Sequence, residues 1–332
     1  MTFFIINQTD ILYICIDKIY NMNLQQLEYI IAVDKLKNFV KASEACFVTQ
    51  ATLSMMIKKL EEELDVKLFD RSKQPVKTTD VGEKLIAQAR KIVSESKKLK
   101  EIILDEKGVV SGELKIGIIP TLAPYLLPLF LKQFMQSYPL VKLIINEYTT
   151  DVIMHKLKTG DIDAGILATP LHDAAITEHV LFYEKYYLYV NQKEKGFDKK
   201  YVLPKDIDVN RLWLLEEGHC MRSQILKFCA LKKQNESEEH FHYNAGSIET
   251  LKNMVDTNFG MTIIPELTTH HLTSSQQKRI RSFKSPEPVR EISLITHREF
   301  IKAKLIQCLN DCILSVIPDE MKNKKNLNIV EI

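Results

Sequence analysis

Between Glu113 and Thr169 the hydrophobic period switches back and forth four times. "ELKIGII" is a short apolar run, "PTLAPYLLPLFLKQFMQSYP" has helical spacing, and "KLIINEYT" is a second short run. "DVIMHKLKTG" is helical again and "DAGILAT" is a third short run. A β-α-β-α-β order predicts a parallel sheet with helices on its faces. A second such series starts near Tyr183 with "EKYYLYV" and "RLWLL", passes through "SIETLKNMVDTNFGMTIIP" and ends near Ile292–Thr296. A last helical pattern, about Lys302–Ile317, returns to the first lobe. Two α/β lobes joined by crossing strands enclose a cleft, and such sheets bind ligands beyond their strand carboxyl ends. Thr121 stands after the first strand, where a helix N-terminus meets that cleft. There it is either a ligand-facing hydroxyl or a plain turn residue.

The 332 residues suffice for two or more domains. A hydrophobic content of 45% and a charged content of 27% are ordinary for a globular chain, and a net charge of +2 argues neither for nor against nucleic acid. No apolar run approaches the ~18 residues of a membrane helix. "MTFFIINQTDILYICIDKIYN" lacks a basic opening and a cleavage site, and Asp10, Asp17 and Lys18 interrupt it, so it is not read as a signal peptide. Helical patterning begins at Met22, and residues 1–21 are read as an upstream extension of the reading frame. The expected location is the cytoplasm, where thiols stay reduced and a cysteine pair is transient, catalytic or metal-binding. Cys15, Cys46, Cys308 and Cys312 read as small buried apolar residues, and neither a metal nor a cofactor is expected.

From Leu24, apolar residues at Leu27, Ile30, Ile31, Val33, Leu36 and Phe39 form a helical stripe. A short helix around Val40–Ala45, a turn at Phe47–Thr49 and a longer helix from near Gln50 follow, with Thr49 as N-cap. This is a helix-turn-helix pattern, whose second helix offers its first residues to base edges. "KLFDRSKQPVKTTD" fits a two-stranded wing with Lys73 and Lys77 near phosphate. Residues 23–80 carry as many acids as bases, so pattern alone leaves a plain helical subdomain open. Residues 80–107 then read as one long helix. Val81, Leu85, Ala89, Ile92, Ser96, Leu99 and Ile103 make a stripe narrow enough for a two-helix seam.

"EEGHCMRSQILKFCALKK" places Cys220 in the first turn of a helix, beside Arg222 and His219. The helix dipole and both side chains favour thiolate there. Cys229 shares a face with Ile225 and Leu226 and reads as buried and protonated. Nine helical residues span ~13.5 Å, whereas a disulfide needs Cα atoms within ~7 Å. Helix and disulfide exclude each other. The residues alone leave two readings open, a redox switch or two unrelated buried cysteines.

The stretch from "LEYIIAV" through "FVKASEACFVTQATLSMMIKKLEEELDVKLFDR" to "TTDVGEKLIAQA" resembles the DNA-binding domain of LysR-type transcriptional regulators. The family's reader helix usually begins Ser-Gln-Pro-Thr/Ala-Leu-Ser, and Ala51 here replaces the proline. The resemblance implies that Gln50, Thr52 and Ser54 reach double-stranded DNA, with Lys58 and Arg71 on phosphates. It also implies dimerisation through the long helix and a periplasmic-binding-protein-like effector domain of two lobes. The domains expected are a winged helix-turn-helix over 22–80, a linker helix over 81–108 and an α/β effector domain over 109–332.

"GHCMRSQILKFC" further resembles the sensor segment of OxyR-type hydrogen-peroxide regulators, Gly-His-Cys-Leu-Arg-Asp-Gln followed by Phe-Cys at the same spacing. "IPTLAPYLLP", "SIETLKNMV" and "GMTIIP" agree with the same group. That resemblance implies Cys220 as the peroxidatic cysteine and Cys229 as the resolving one. It implies that Thr121, His219, Arg222 and His242 bind and activate peroxide. Ser223 stands where the family usually has an acid, a departure that bears on any proton relay through that position. An arginine expected at the end of the late strand falls on His297 or Arg298. The expected partners are DNA, further copies of the chain as a dimer or tetramer, hydrogen peroxide, and a thiol reductant of the glutaredoxin or thioredoxin kind. The rival readings are a LysR-type regulator with a small organic co-inducer, a thiol peroxidase and a periplasmic solute-binding protein.

Overall fold

The computed structural model describes residues 22–106, 110–194, 198–229, 245–298, 302–323 and 327–331. The expectation for residues 1–21, Cys15 and His242 all fall outside these. The chain divides into two compact units after Glu106. No helix among the described residues is long and apolar enough to cross a membrane.

In the first unit, α1 (Leu24–Leu36) opens on a reciprocal cap: Gln26 N–H donates to Asn23 Oδ1 and Asn23 N–H donates to Gln26 Oε1, each at 2.9 Å. α2 (Phe39–Ala45) is capped by Asn38, and α3 (Gln50–Leu64) by Thr49, whose hydroxyl accepts from Thr52 N–H at 3.2 Å. Between α2 and α3, Phe47 takes a left-handed φ of 57° and is 95% exposed. The wing is β1 (Phe69–Asp70) antiparallel to β2 (Lys77–Thr78), and α4 (Asp80–Glu106) follows as one long helix. Leu27, Ile30, Val33, Leu53, Ile57 and Ile86 form the core of this unit.

The expected seam along α4 is divided. Ala89 is buried within its own unit, together with Ile86 and Val93, while Val81, Ile92 and Leu99 face outward at 47%, 36% and 66% exposure. A helix with apolar positions on two flanks can serve its own core and still offer a stripe to a partner.

The second unit begins with the expected alternation: β3 (Gly112–Ile118), α5 (Ala123–Ser137), β4 (Val141–Glu147), α6 (Thr150–Thr159) and β5 (Ala164–Thr169). β3 lies between β4 and β5, and both pairings are parallel. β6 (Ile176–Val190) starts earlier than the sequence pattern suggested. Its first half alternates with Glu178 and His179, so it lacks the continuous apolar run that marks Tyr186–Val190. β7 (Tyr201–Val202), α7 (Cys220–Phe228), α8 (Ile248–Thr257), β8 (Met261–Pro265), α9 (Glu266–Thr269), α10 (Ser274–Gln277) and β9 (Ile280–Phe283) build the second lobe. β10 (Pro288–His297) and α11 (Ala303–Val316) return to the first, followed by α12 (Asp319–Lys322) and β11 (Asn328–Ile329).

The strand order is β4-β3-β5-β10-β6-β9-β7, with β8 also on β6 and β11 on β10. Residues 176–185 of β6 pair with β10, and 186–190 pair with β8 and β9, so one strand serves both lobes. β6 and β10 are the crossing strands. "RLWLL" is not a strand but two isolated bridges, Leu212 to Met261 and Leu215 to Ala245. The Thr262 hydroxyl and the Trp213 indole N–H hold this segment by donating to Trp213 O and Phe259 O, outside a sheet ladder.

Candidate functional site: a buried thiol beside a buried guanidinium

Gly218 turns the chain into α7 with φ +95°, a conformation that strains any residue with a Cβ. His219 is the N-cap and is 6% exposed, with Nε2 3.6 Å from Glu216 Oε1. Cys220 is the first helical residue and is buried together with Met221, Gln224 and Ile225 on the inward face. Cys229 caps the other end, donating its N–H to Ile225 O at 3.0 Å, and its thiol is buried. Both thiols are free. Cys312 is also buried, while Cys46 and Cys308 are half-buried because each side chain borders its core rather than entering it.

The expectation of a thiolate at rest does not hold. Burial pushes the Cys220 thiol up, against opposing pulls from the Thr150 hydroxyl, the Arg290 charge and the amides of Met221 and Cys220. The helix N-terminus does act as expected, but desolvation outweighs it. Burial pushes Cys229 up to about 12. The guanidinium charge that pulls on the Cys220 thiol is that of Arg290, while Arg222 is engaged with the main chain. Its Nη1 donates to Leu215 O at 2.9 Å and closes the turn before α7.

Arg290 lies on β10. It is fully buried, with Nε donating to Glu184 Oε2 at 2.8 Å and Nη1 to Thr121 Oγ1 at 2.9 Å. Nη2 reaches Thr121 O at 3.3 Å. Glu184, equally buried, also accepts Leu267 N–H at 2.8 Å. The fork of Arg290 thus ties Thr121 from the first lobe to Glu184 on β6, and its charge favours an anion at Cys220. Thr121 is therefore a buried acceptor for Arg290. Thr150 Oγ1 is buried without a hydrogen-bond partner of normal geometry. Arg290 and Thr150 escaped sequence reasoning, although an arginine inside "EPVREISLIT" was a signal, since a charge in a buried strand must be paired. His297 ends β10, and Arg298 follows it. Ser223 is exposed.

In the first unit, Gln50 and Thr52 are exposed on the first turn of α3, with Thr52 Oγ1 2.9 Å from Thr49 Oγ1. Ser54 and Arg71 are brought together: Arg71 Nη1 donates to Ser54 Oγ at 3.1 Å, and Nη2 to buried Glu61 at 3.1 Å. Its guanidinium also lies 4.8 Å from the Phe39 ring centroid. Lys58 is exposed, 3.5 Å from Glu62. Met55, 63% exposed between these polar residues, is an apolar element that the polar pattern hid.

Two family models cover the chain: the bacterial regulatory helix-turn-helix protein, lysR family, over residues 24–83, and the LysR substrate binding domain over residues 107–317. The chain belongs to the LysR family. A hydrogen peroxide-inducible genes activator from Dickeya chrysanthemi is 36% identical over 280 residues, 82% of this chain and 89% of the relative. A full-length OxyR variant from Pseudomonas aeruginosa superposes with a TM-score of 0.74 at 32% identity, covering 89% of this chain and 99% of that one. A Corynebacterium glutamicum OxyR mutant, solved with hydrogen peroxide bound, gives a TM-score of 0.55 at 25% identity over 89% of this chain and 94% of that one. The LysR-family chain therefore groups with OxyR-type members, and its two-lobed effector unit and helix-turn-helix unit are those of the family.

Proposed function

We propose that this LysR-family chain is a hydrogen-peroxide-responsive transcription regulator whose signal is a disulfide between Cys220 and Cys229. The carrying observation is a buried thiol at a helix N-terminus, under the charge of a buried arginine, with a second buried thiol at the far end of the same helix. The peroxide-linked names of the relatives support the same reading.

The chemistry balances with these groups. The Cys220 sulfur, once ionised, attacks one peroxide oxygen. The O–O bond breaks, and the second oxygen leaves as hydroxide, takes up the one proton that the thiol released and becomes water. The resulting sulfenic acid is attacked by the Cys229 sulfur. An S–S bond forms, the S–O bond breaks and a second water leaves. Two thiols thereby supply the two electrons that reduce one peroxide, and an external dithiol of the glutaredoxin or thioredoxin class returns them. In this reading Thr121, Thr150 and Arg290 hold the peroxide and stabilise charge on the leaving oxygen, which the pull of Thr150 and Arg290 on the Cys220 thiol supports. His219 adds a buried imidazole beside the thiol, and Arg222 anchors the turn that presents it. His242 keeps its proposed part in peroxide binding on the resemblance alone. The outward stripe of Val81, Ile92 and Leu99 supports dimerisation through α4, which would bring two reader helices to two half-sites.

The test is a DNA footprint before and after a brief sub-millimolar peroxide pulse, with a count of free thiols. The expected outcome is an altered footprint with two thiols lost per chain. An unchanged footprint with all thiols intact would sink the redox reading.

The DNA unit carries its own prediction. Thr52→Ala or Ser54→Ala is expected to weaken specific binding by ~1–3 kcal/mol where the side chain meets a base edge. Ser54 also anchors Arg71, so its loss should add a phosphate-contact effect. Lys58→Ala should weaken all sequences alike and lower the salt slope by about one. Titrations of specific and random duplexes at several salt concentrations separate the two patterns. A changed base preference with an unchanged slope in Lys58→Ala would place that lysine on the wrong face.

A further inference from the structure

Midway along α7, Gln224 is fully buried and both ends of its amide are engaged. The Tyr186 hydroxyl on β6 donates to Gln224 Oε1 at 2.7 Å, and Gln224 Nε2 donates to Val330 O at 2.7 Å. A backbone carbonyl only accepts, so the amide nitrogen must face Val330, which leaves the oxygen for the tyrosine. Val330 lies in the last described stretch of chain. Its N–H donates to Val289 O at 2.9 Å, and its side chain is buried in the core that also holds Cys220 and Cys229. Just before it, β11 runs parallel to β10, Asn328 opposite Pro288 and Ile329 opposite Val289. Arg290 is the next residue of β10, so the tail lies against the backbone beside the guanidinium that acts on the thiol.

A two-residue parallel pairing holds itself only weakly. The further anchors of this one are the burial of Val330 and the bond from Gln224. Gln224 sits four residues after Cys220 and five before Cys229, inside the segment that must leave helical geometry if those cysteines bond.

We propose that Gln224 is a positioning residue that couples the sensor helix to the C-terminal strand. The tail is held on β10 while α7 is helical, stabilises that helix in return, and is released when α7 unwinds. This rests on the Cys220–Cys229 disulfide proposed above only for its last step. The anchoring in the reduced state stands apart from it. Release would uncover the Pro288–Val289 edge of β10 at the moment of oxidation.

Amide exchange read by mass spectrometry, together with the rate of thiol labelling, tests each half on the full chain. In the reduced state, Gln224→Met and a chain ending at Leu327 should each label Cys229 about tenfold faster than wild type, from the loss of one or two hydrogen bonds. Gln224→Met should also speed exchange across 327–331. Trp213 fluorescence reports whether each variant keeps its fold. Gln224→Glu, which retains the acceptor for Tyr186 but loses the donor to Val330, should free the tail as Gln224→Met does. Labelling of Cys229 within about twofold of wild type in both the truncated chain and Gln224→Met would overturn the anchoring. After peroxide, peptides covering 220–229 and 327–331 should lose protection together in wild type and keep it in Cys220→Ser. A disulfide with unprotected helix amides but a tail as protected as before would overturn the release. If thiols and helix amides were untouched by peroxide, the disulfide reading and the release would fail, and the reduced-state measurements would still decide the anchoring.

Discussion

Replacing Cys220 with serine is expected to abolish the peroxide response of DNA binding, and replacing Cys229 is expected to leave it unfinished. A serine hydroxyl does not attack peroxide under these conditions, so Cys220→Ser forms neither sulfenic acid nor disulfide. Cys229→Ser keeps the attacking sulfur beside Arg290 and Thr150. Its sulfenic acid should then be trappable at Cys220 and should pass to sulfinic acid or a mixed disulfide under excess oxidant. The size of the effect follows from the geometry. Without bond formation between the two ends of α7 nothing forces the helix open, and its hydrogen bonds and buried face keep it closed. Mass spectrometry of peroxide-treated wild type should find Cys220 joined to Cys229. A bond to Cys46 or Cys308, or a full response in Cys220→Ser, would defeat the assignment. Because burial holds the Cys220 thiol above its ordinary value, the protonated form dominates near neutrality, and the oxidation rate should climb with pH throughout that range.

How far the sequence disclosed this site depends on what kind of residue carried each part. The three parallel strands of the first lobe were legible because each is a short apolar run between helical patterns, a composition that burial on both faces requires of β5, while β4, at the edge of the sheet, is only half-buried or exposed. The helix-turn-helix was legible through its caps: Thr49 bonds to Thr52 N–H as its position suggested. The first half of β6 was not, because Glu178 and His179 interrupt its apolar character where it pairs with β10. Cys220 and Cys229 could be picked out from their neighbours along the chain. Arg290, Thr150 and Gln224 could not be picked out in that way. What they do depends on contacts across 70 residues or more: Arg290 to Thr121, Thr150 to Cys220, Gln224 to Val330. The main-chain contact of Arg222 was hidden for the same reason. Sequence proximity placed a positive charge beside the thiol, whereas the fold turned that side chain back to Leu215 and brought another arginine in from β10.

Arg290→Met should produce the other large effect, and it should separate structure from reactivity. The substitution keeps much of the volume but leaves Glu184, itself fully buried, with Leu267 N–H and no cation. Breaking one side of a buried pair in this way costs about 3–5 kcal/mol, since the remaining charge has neither water nor partner. In a denaturant titration the midpoint should fall with little change in slope. Thr121 loses its donor at the same time, which loosens the tie between β6 and the loop before α5. Adding Glu184→Leu removes the stranded carboxylate and should restore most of the stability, because a buried pair replaced by apolar groups is often neutral. Reactivity should not return with it. The Arg290 charge opposes the desolvation of the Cys220 thiol, and each unit by which the thiol rises lowers the thiolate fraction near neutrality about tenfold. The double variant should therefore be a stable chain whose Cys220 reacts slowly with peroxide and whose rate profile is displaced to higher pH. Arg290→Lys keeps a charge but loses the fork to Thr121 and Glu184, and should fall between the two in rate. A double variant that regained both stability and the wild-type oxidation rate would show that Arg290 acts only as a strut between the lobes and that the activation of Cys220 lies elsewhere.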